Sequence, residues 1–165
     1  MIPAVTLSCE RLDRLNGWLL DTNVVAELAK PRGTVRVLAW AAAQDEALLL
    51  LSILTLGEYD RGLGNLPSDS PLRPHIAAGI AALEVRFADR ILPLSNGIVR
   101  RWGAVGGAVK RRTGQTPPVI DTLLAATAIE HDLCLVTRNL RDVWHSGAIL
   151  LNPWEDIPAV DVAHE

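Results

Sequence analysis

The chain has 165 residues, of which 49% are hydrophobic and 21% are charged. This composition supplies the core of one domain and excludes an intrinsically disordered protein. Sixteen basic and nineteen acidic residues give a formal net charge of −3, which excludes nucleic-acid binding through bulk positive charge alone.

Targeting signals are not expected, and the sequence predicts a cytoplasmic protein. A membrane-spanning helix needs about 20 mostly apolar residues, and charged residues interrupt every stretch of that length. Met1 to Gly17 also carries charged residues where a secretion signal would have an apolar core. The only two cysteines, Cys9 and Cys134, make neither a disulfide framework nor a zinc site.

Strands and helices are predicted to alternate along the chain. Hydrophobic patterns predict strands at 18–20, 47–53, 90–94, 133–136 and 148–151. Helices are predicted from Thr22 to before Pro31 and at 34–43, 55–63, 72–88, 96–112 and 120–131. This alternation predicts an α/β fold with a mainly parallel central sheet and helices on both faces. We expect an N-terminal extension at 1–17, one domain at 18–157 and a loose tail at 158–165.

Four acidic residues follow predicted strands or begin helices. Asp21 follows the first strand, and Glu58 lies in the first turn of the helix predicted from Thr55. Asp121 begins a helix after two prolines, and Asp142 comes shortly after the strand that ends at Thr137. Ligands of parallel sheets bind at the carboxyl ends of the strands, where gathered carboxylates repel one another. A hard divalent cation such as Mg²⁺ or Mn²⁺ would relieve that repulsion.

Each acid also has a purely structural interpretation. Asp21 can cap the first helix, and Thr55 with Glu58 has the spacing of a capping box. Asp121 is favourable near a helix N-terminus, and Asp142 is an ordinary turn residue. Glu27, one helical turn after Asn23, is either a surface charge or a further acidic contact. The four acids taken singly leave both interpretations open.

Short motifs around the acids distinguish these interpretations. They are LLDTN at 19–23, LTLGE at 54–58, PVID at 118–121, LAATA at 124–128, LVTRN at 135–139 with Asp142, and LNPW at 151–154. In this order they resemble the PIN-domain family, specifically the VapC-type toxin ribonucleases of type II toxin–antitoxin systems. The resemblance covers about 19–154. Two features depart from the family pattern: Val143-Trp144 follows the last acid where Phe is common, and Met1 to Gly17 precedes the first strand.

The resemblance implies a PIN-like three-layer α/β/α fold and a site built on an acidic quartet. The implied catalytic and metal-binding residues are Asp21, Glu58, Asp121 and Asp142, supported by Asn23, Thr137 and Asn139. It also implies Mg²⁺ or Mn²⁺ as cofactor, an RNA substrate, a cognate VapB-type antitoxin and a homodimer. Whether one or two ions bind is left open.

The predicted function is a metal-dependent endoribonuclease that hydrolyses RNA phosphodiester bonds. The alternative is a PIN-like module that binds nucleic acid or a protein without cutting, although an intact quartet argues against a decayed site. Arginines on the helix from Asn96 form two adjacent stripes at helical spacing, either to follow an RNA backbone or as a solvated face; they are Arg100, Arg101, Arg111 and Arg112. Arg61, one turn after Glu58, is a further candidate for the pocket mouth or an ordinary surface charge.

Overall fold

A computed structural model describes residues 15–155 and 158–160 of the chain, and the expected N-terminal extension lies outside them except for its last three residues. The strands are β1 (Trp18–Leu20), β2 (Leu49–Ser52), β3 (Ile91–Leu92), β4 (Cys134–Val136), β5 (Ile149–Leu151) and β6 (Pro158–Val160). The helices are α1 (Thr22–Leu28), α2 (Val35–Ala42), α3 (Ile53–Gly64), α4 (Arg73–Arg86), α5 (Asn96–Thr113), α6 (Val119–Glu130) and α7 (Leu140–Val143). No helix in this part of the chain is long and apolar enough to cross a membrane.

The strands form one sheet in the order β3-β2-β1-β4-β5-β6. Strands β1 to β5 are parallel, and only β6 runs antiparallel, against β5. Leu19 of β1 lies opposite Leu50 on one side and Leu135 on the other. The chain moves outward from β1 through β2 to β3 and then returns to β4 on the other side of β1. The direction of winding therefore reverses between β1 and β4, which is where ligands of such sheets bind.

Hydrophobic residues fill both faces of the sheet. Leu19 packs with Leu135 and Leu124 of α6, whereas the next residue, Leu20, packs with Val24 and Val37 of the helices on the opposite face. Successive strand residues point to opposite faces, so two layers of helices are needed to cover them. The predicted three-layer α/β fold with a mainly parallel sheet is confirmed.

Gly17, directly before β1, cannot be replaced without distortion. Its φ is +145°, and an added Cβ would lie 2.5 Å from the Leu48 carbonyl oxygen. Its own carbonyl accepts a hydrogen bond from the Cys134 amide. A glycine is therefore needed where the chain enters the central strand between β2 and β4.

Some predicted boundaries differ from the structure. Strand β2 begins only at Leu49 because Glu46–Leu48 forms a 3-10 turn, in which the Asp45 side chain accepts a bond from the Ala47 amide. Strand β3 is shorter than the predicted 90–94. The tail predicted at 158–165 is wrong for Pro158–Val160, which pairs with β5 as β6, while 161–165 lies outside the described residues.

Candidate active site

Two strand ends position the centre of the site. Asp21 directly follows β1, and Thr137 directly follows β4, its neighbour in the sheet. The Asp21 amide donates to the Val136 carbonyl at 3.0 Å, which continues the pairing of the two strands to their ends. Asp21 and Thr137 therefore lie side by side at the point where the winding reverses.

Hydrogen bonds hold the Asp21 carboxylate in place. The Thr137 hydroxyl donates to Oδ2 of Asp21 at 2.6 Å, and the side-chain amide of Asn23 donates through Nδ2 to the same oxygen at 2.5 Å. Asn23 also donates to the Thr137 hydroxyl at 3.2 Å and accepts a bond from the Arg138 amide. Asp21 occupies the N-cap position of α1, but its side chain makes no capping hydrogen bond. Its Oδ2 atom is instead held by Thr137 and Asn23 at the site.

An open pocket in front of Asp21 contains two more of the predicted acids. Its volume is about 330 Å³, and Glu58 from α3 and Asp121 from α6 line it together with Asp21. The Thr22 hydroxyl donates to Oε2 of Glu58 at 2.5 Å. Thr22 is a site residue that the sequence did not identify, because its place at the start of a helix already explained it. Its position directly after Asp21 in the LLDTN motif was the available signal.

Glu58 does not lie where the sequence placed it in its helix. Helix α3 begins at Ile53, and the Ser52 hydroxyl caps it by accepting a bond from the Leu54 amide. The capping-box interpretation of Thr55 and Glu58 is therefore wrong, and Glu58 lies in the second turn. Ser52 ends β2, so its hydroxyl reaches the first free amides before Thr55 does.

Asp142 joins the group through an asparagine. It lies in the short helix α7, which the sequence did not predict. The Asn139 amide nitrogen donates to Oδ2 of Asp142 at 2.5 Å and to Oδ1 of Asp121 at 3.3 Å, and the Asn139 backbone amide donates to the Thr137 hydroxyl. Asn139 therefore connects both later acids to the Thr137–Asp21 pair.

The electrostatics of the pocket oppose ionisation of Asp21 and Asp121. Burial raises the pKa of Asp21, the Thr137 hydrogen bond lowers it in part, and the charges of Asp121 and Glu58 raise it further. Burial likewise raises the pKa of Asp121, with further increases from Asp142 and Glu58. Asp21 and Asp121 thus feel the negative charge of neighbouring carboxylates, as expected for acids gathered without a cation.

These residues fit a hard divalent cation by their chemistry. The donors are carboxylate, hydroxyl and amide oxygens, and the mutual repulsion of the acids is what a cation removes. Within residues 15–155, no three His, Cys, Asp or Glu side chains already form a group that could hold a metal ion.

Glu27 serves another purpose. It is buried and accepts hydrogen bonds from the Thr34 amide and hydroxyl, each at 2.7 Å, and from Lys30 at 2.6 Å. These bonds lower the pKa of Glu27 to about 2. Glu27 therefore connects α1 to the start of α2 and is not a further acid of the pocket.

The predicted arginines lie outside the acidic pocket. Arg101 forms a salt bridge with Glu130 of α6 at 2.7 Å, and none of the four α5 arginines is among the described residues that line the pocket. Arg61 lies 3.6 Å from Oε1 of Glu58, with 69% of its side chain exposed. An exposed pair of this length contributes little to stability. A role of these arginines in RNA binding stays a prediction.

The sequence and the fold are similar to those of known proteins. The family model described as "PIN domain" matches residues 18–143, and the chain belongs to this family. It is 33% identical to the VapC ribonuclease Y4jK of Sinorhizobium fredii over 83% of this chain and 97% of the relative. It is 30% identical to Toxin FitB of Neisseria gonorrhoeae over 84% of this chain and 99% of that protein. The crystal structure of FitAcB from Neisseria gonorrhoeae superposes with a TM-score of 0.73 at 27% identity, covering 84% of this chain and 99% of that one. The resemblance noted in the sequence is thereby confirmed.

Proposed function

We propose that the protein is a metal-dependent endoribonuclease that hydrolyses phosphodiester bonds in RNA. The observation that carries this proposal is the buried Asp21 carboxylate, whose pKa is raised by burial and by two neighbouring acids at the reversal point of the sheet. Perturbed carboxylates in an open pocket are typical of catalytic sites. The similarity to a VapC ribonuclease supports RNA as the substrate.

The acids have distinct tasks in this proposal. Asp21, Glu58 and Asp121 hold Mg²⁺ or Mn²⁺, and Asp142 completes the site. When bound, the cation stabilises negative charge on the phosphate and makes an attacking water more acidic. Asn23 and Thr137 fix the orientation of Asp21, and Asn139 fixes Asp121 relative to Asp142. Such supporting contacts keep the ligands in place before the substrate arrives.

The similarity to known toxins also supports a proposal for the protein partner of this chain. FitB is named a toxin, and the motifs of this chain resemble toxins that pair with a VapB-type antitoxin. We therefore propose an antitoxin as the inhibitory partner and the cytoplasm as the site of action. The homodimer remains a prediction from the resemblance.

The test is cleavage of total cellular RNA by purified protein in Mg²⁺, in Mn²⁺ and in EDTA. Mass spectrometry first excludes a copurifying antitoxin. We expect discrete metal-dependent cuts that are lost in Asp121→Asn and retained in Asp60→Asn, a matched change at an exposed acid of α3. Absence of cleavage with every metal, with RNA binding retained, would favour the non-cutting module.

A further inference from the structure

A second pocket lies beside Asp142. Its volume is about 300 Å³, and it is formed by the end of α5, the segment 114–118 and the α7 region. Asp142 lines it and is joined to Asp121 of the acidic pocket through Asn139. A ligand in this second pocket would therefore lie next to an RNA phosphodiester bond bound in the acidic pocket.

The charge of the second pocket suits an anion far better than that of the acidic pocket. Among the described residues, three carboxylates and no basic side chain line the acidic pocket. The second pocket contains Arg141 and one carboxylate, that of Asp142, which already accepts a bond from Asn139. Arg141 is exposed and forms no salt bridge among the described residues, in contrast to Arg101 with Glu130. Its guanidinium can therefore bind a phosphate in two-pronged geometry.

The remaining walls offer apolar surface and polar groups that suit a nucleobase. Pro117 and Pro118 provide the apolar part, and the side-chain amide of Gln115 provides both a donor and an acceptor. His145 also lines the pocket, and its buried Nδ1 has no hydrogen-bond partner among the residues that the structure describes. The Thr113 hydroxyl is not available to a ligand, because it donates to the Val109 carbonyl and accepts a bond from the backbone amide of Gln115. These two bonds hold the pocket wall at the end of α5 in place. Proteins recognise unstacked RNA bases by combining such flat apolar contacts with hydrogen bonds to the base edge.

We propose that this pocket binds one nucleotide of the RNA strand, adjacent to the bond that is cut. Arg141 contacts its phosphate, Pro117 and Pro118 contact the face of its base, and Gln115 and His145 read the base edge. The proposal rests on the proposed ribonuclease function for its substrate class. It makes Gln115 and His145 determinants of sequence preference, while Arg141 contributes affinity for every sequence.

The first test measures binding in EDTA, where no cutting occurs. A short fluorescent single-stranded RNA of random sequence is titrated with the wild type, Arg141→Ala and Arg32→Ala. Arg32 is an exposed residue between α1 and α2, so both variants remove the same charge. We expect Arg141→Ala to weaken binding about tenfold and to lower the salt dependence by about one counterion. Equal binding by the two variants would overturn the proposal whether or not the protein cuts RNA.

The same complex gives a local readout. The chain has four histidines, and His145→Gln identifies the ring signals of His145 in an NMR spectrum. We expect these signals to shift when the RNA is added, whereas those of His75 and His131 stay in place. Unchanged His145 signals at saturating RNA would contradict occupancy of the pocket.

The second test maps the cut sites in total RNA by sequencing the product ends. Gln115→Ala and His145→Gln should relax the base preference at one position next to the cut, and Arg32→Ala should leave the pattern unchanged. If the wild type cuts and both pocket variants keep its base preference, the nucleotide-reading role is wrong and the ribonuclease proposal stands. If the wild type cuts nothing in any metal, the ribonuclease proposal fails, and the binding measurements alone decide whether the pocket holds RNA.

Discussion

Asp21 and Glu27 belong to the same stretch of chain, and each is 7% exposed, yet their surroundings act on them in opposite directions. Glu27 accepts bonds from Lys30 and from two groups of Thr34, and its pKa is lowered to about 2. Asp21 accepts bonds from Thr137 and Asn23, but burial and neighbouring carboxylates raise its pKa. Burial alone therefore does not distinguish a structural acid from a functional one. The balance between hydrogen-bond donors and other negative charges does.

The contrast between the two acids shows which of them lowers the folding stability of the metal-free protein. Ionised Glu27 is stabilised by its partners and fastens α1 to the start of α2. Ionised Asp21 is held in a site that opposes its charge, which is an arrangement that a bound cation would relieve. Functional sites commonly keep such unfavourable groups, and their removal often stabilises the protein.

The largest expected effect separates the two acids by activity. Asp21→Asn should lower kcat/KM for RNA cleavage by more than about 100-fold, because a lost ligand should cost more than the about 10–100-fold typical of a supporting residue. Glu27→Gln should change it by less than about twofold, since Glu27 does not line the pocket. The measurement is initial cleavage rate in Mg²⁺ for both variants at matched folded fraction. Comparable losses of kcat/KM in Asp21→Asn and Glu27→Gln would contradict different roles for the two acids.

A smaller effect on activity is expected at Asn139. Its side chain donates hydrogen bonds to both Asp121 and Asp142 and would orient these two acids. Asn139→Ala should lower kcat/KM about 10–100-fold and weaken the dependence on Mg²⁺ concentration. Asn65→Ala, an exposed amide at the end of α3, is the control. A Mg²⁺ titration of cleavage with unchanged midpoint would show that Asn139 does not position the cation ligands.

Stability should move in opposite directions in the same pair of acid variants. In EDTA at neutral pH, Asp21→Asn should raise the Tm by several degrees, since about 1 kcal/mol shifts the Tm of a domain this size by about 2–4 °C. Glu27→Gln should lower the Tm because it removes charge from the bonds to Lys30 and Thr34. Calorimetry of the wild type and both variants measures this. A lower Tm for Asp21→Asn would mean that its hydrogen bonds outweigh the repulsion.

The smallest effect is the pH dependence of these differences in the metal-free protein. Glu27 titrates between its ordinary value of 4.5 and about 2, so its stabilisation is complete above the first value and is lost as the pH falls through that window. Asp21 has a folded pKa above 3.8, so the wild type loses stability as the pH rises through the raised value. The Tm difference from wild type should therefore shrink toward acid for both variants. A pH-independent difference for Glu27→Gln would contradict its assignment as an ionised structural acid.

Much of this architecture follows from local patterns. The apolar run of β1 and its termination at Asp21 are encoded in four consecutive residues, and β4 ends at Val136 as predicted and begins one residue later than predicted. Periodicity and breakers act over neighbouring residues, so they can be recognised without the fold. The helix before β3 was also predicted, since the bounds 72–88 lie within two residues of the observed Arg73–Arg86.

The elements that were predicted incorrectly depend on contacts that several residues could make. One case is the start of α3, and the other is β6. Ser52 and Thr55 both suit a helix cap, and only the length of β2 determines which one meets the free amides. The segment at Pro158–Val160 has little strand character by itself and becomes a strand by pairing with β5. Such choices depend on partners that local sequence does not contain.

The α/β class, the family motifs and the candidate acids could be predicted from the sequence, because they depend on residues that are adjacent or one helical turn apart. Which of those acids share a pocket depends on contacts between distant parts of the chain. Thr137 lies 116 residues from Asp21, so their contact exists only once β1 and β4 are paired, and Asn139 lies 18 residues from Asp121, so theirs needs α6 to lie beside the end of β4. Glu27 differs, because its donors Lys30 and Thr34 are only three and seven residues away in the chain. The charge preference of Asp21 is set by groups that the fold brings to it from separate parts of the chain.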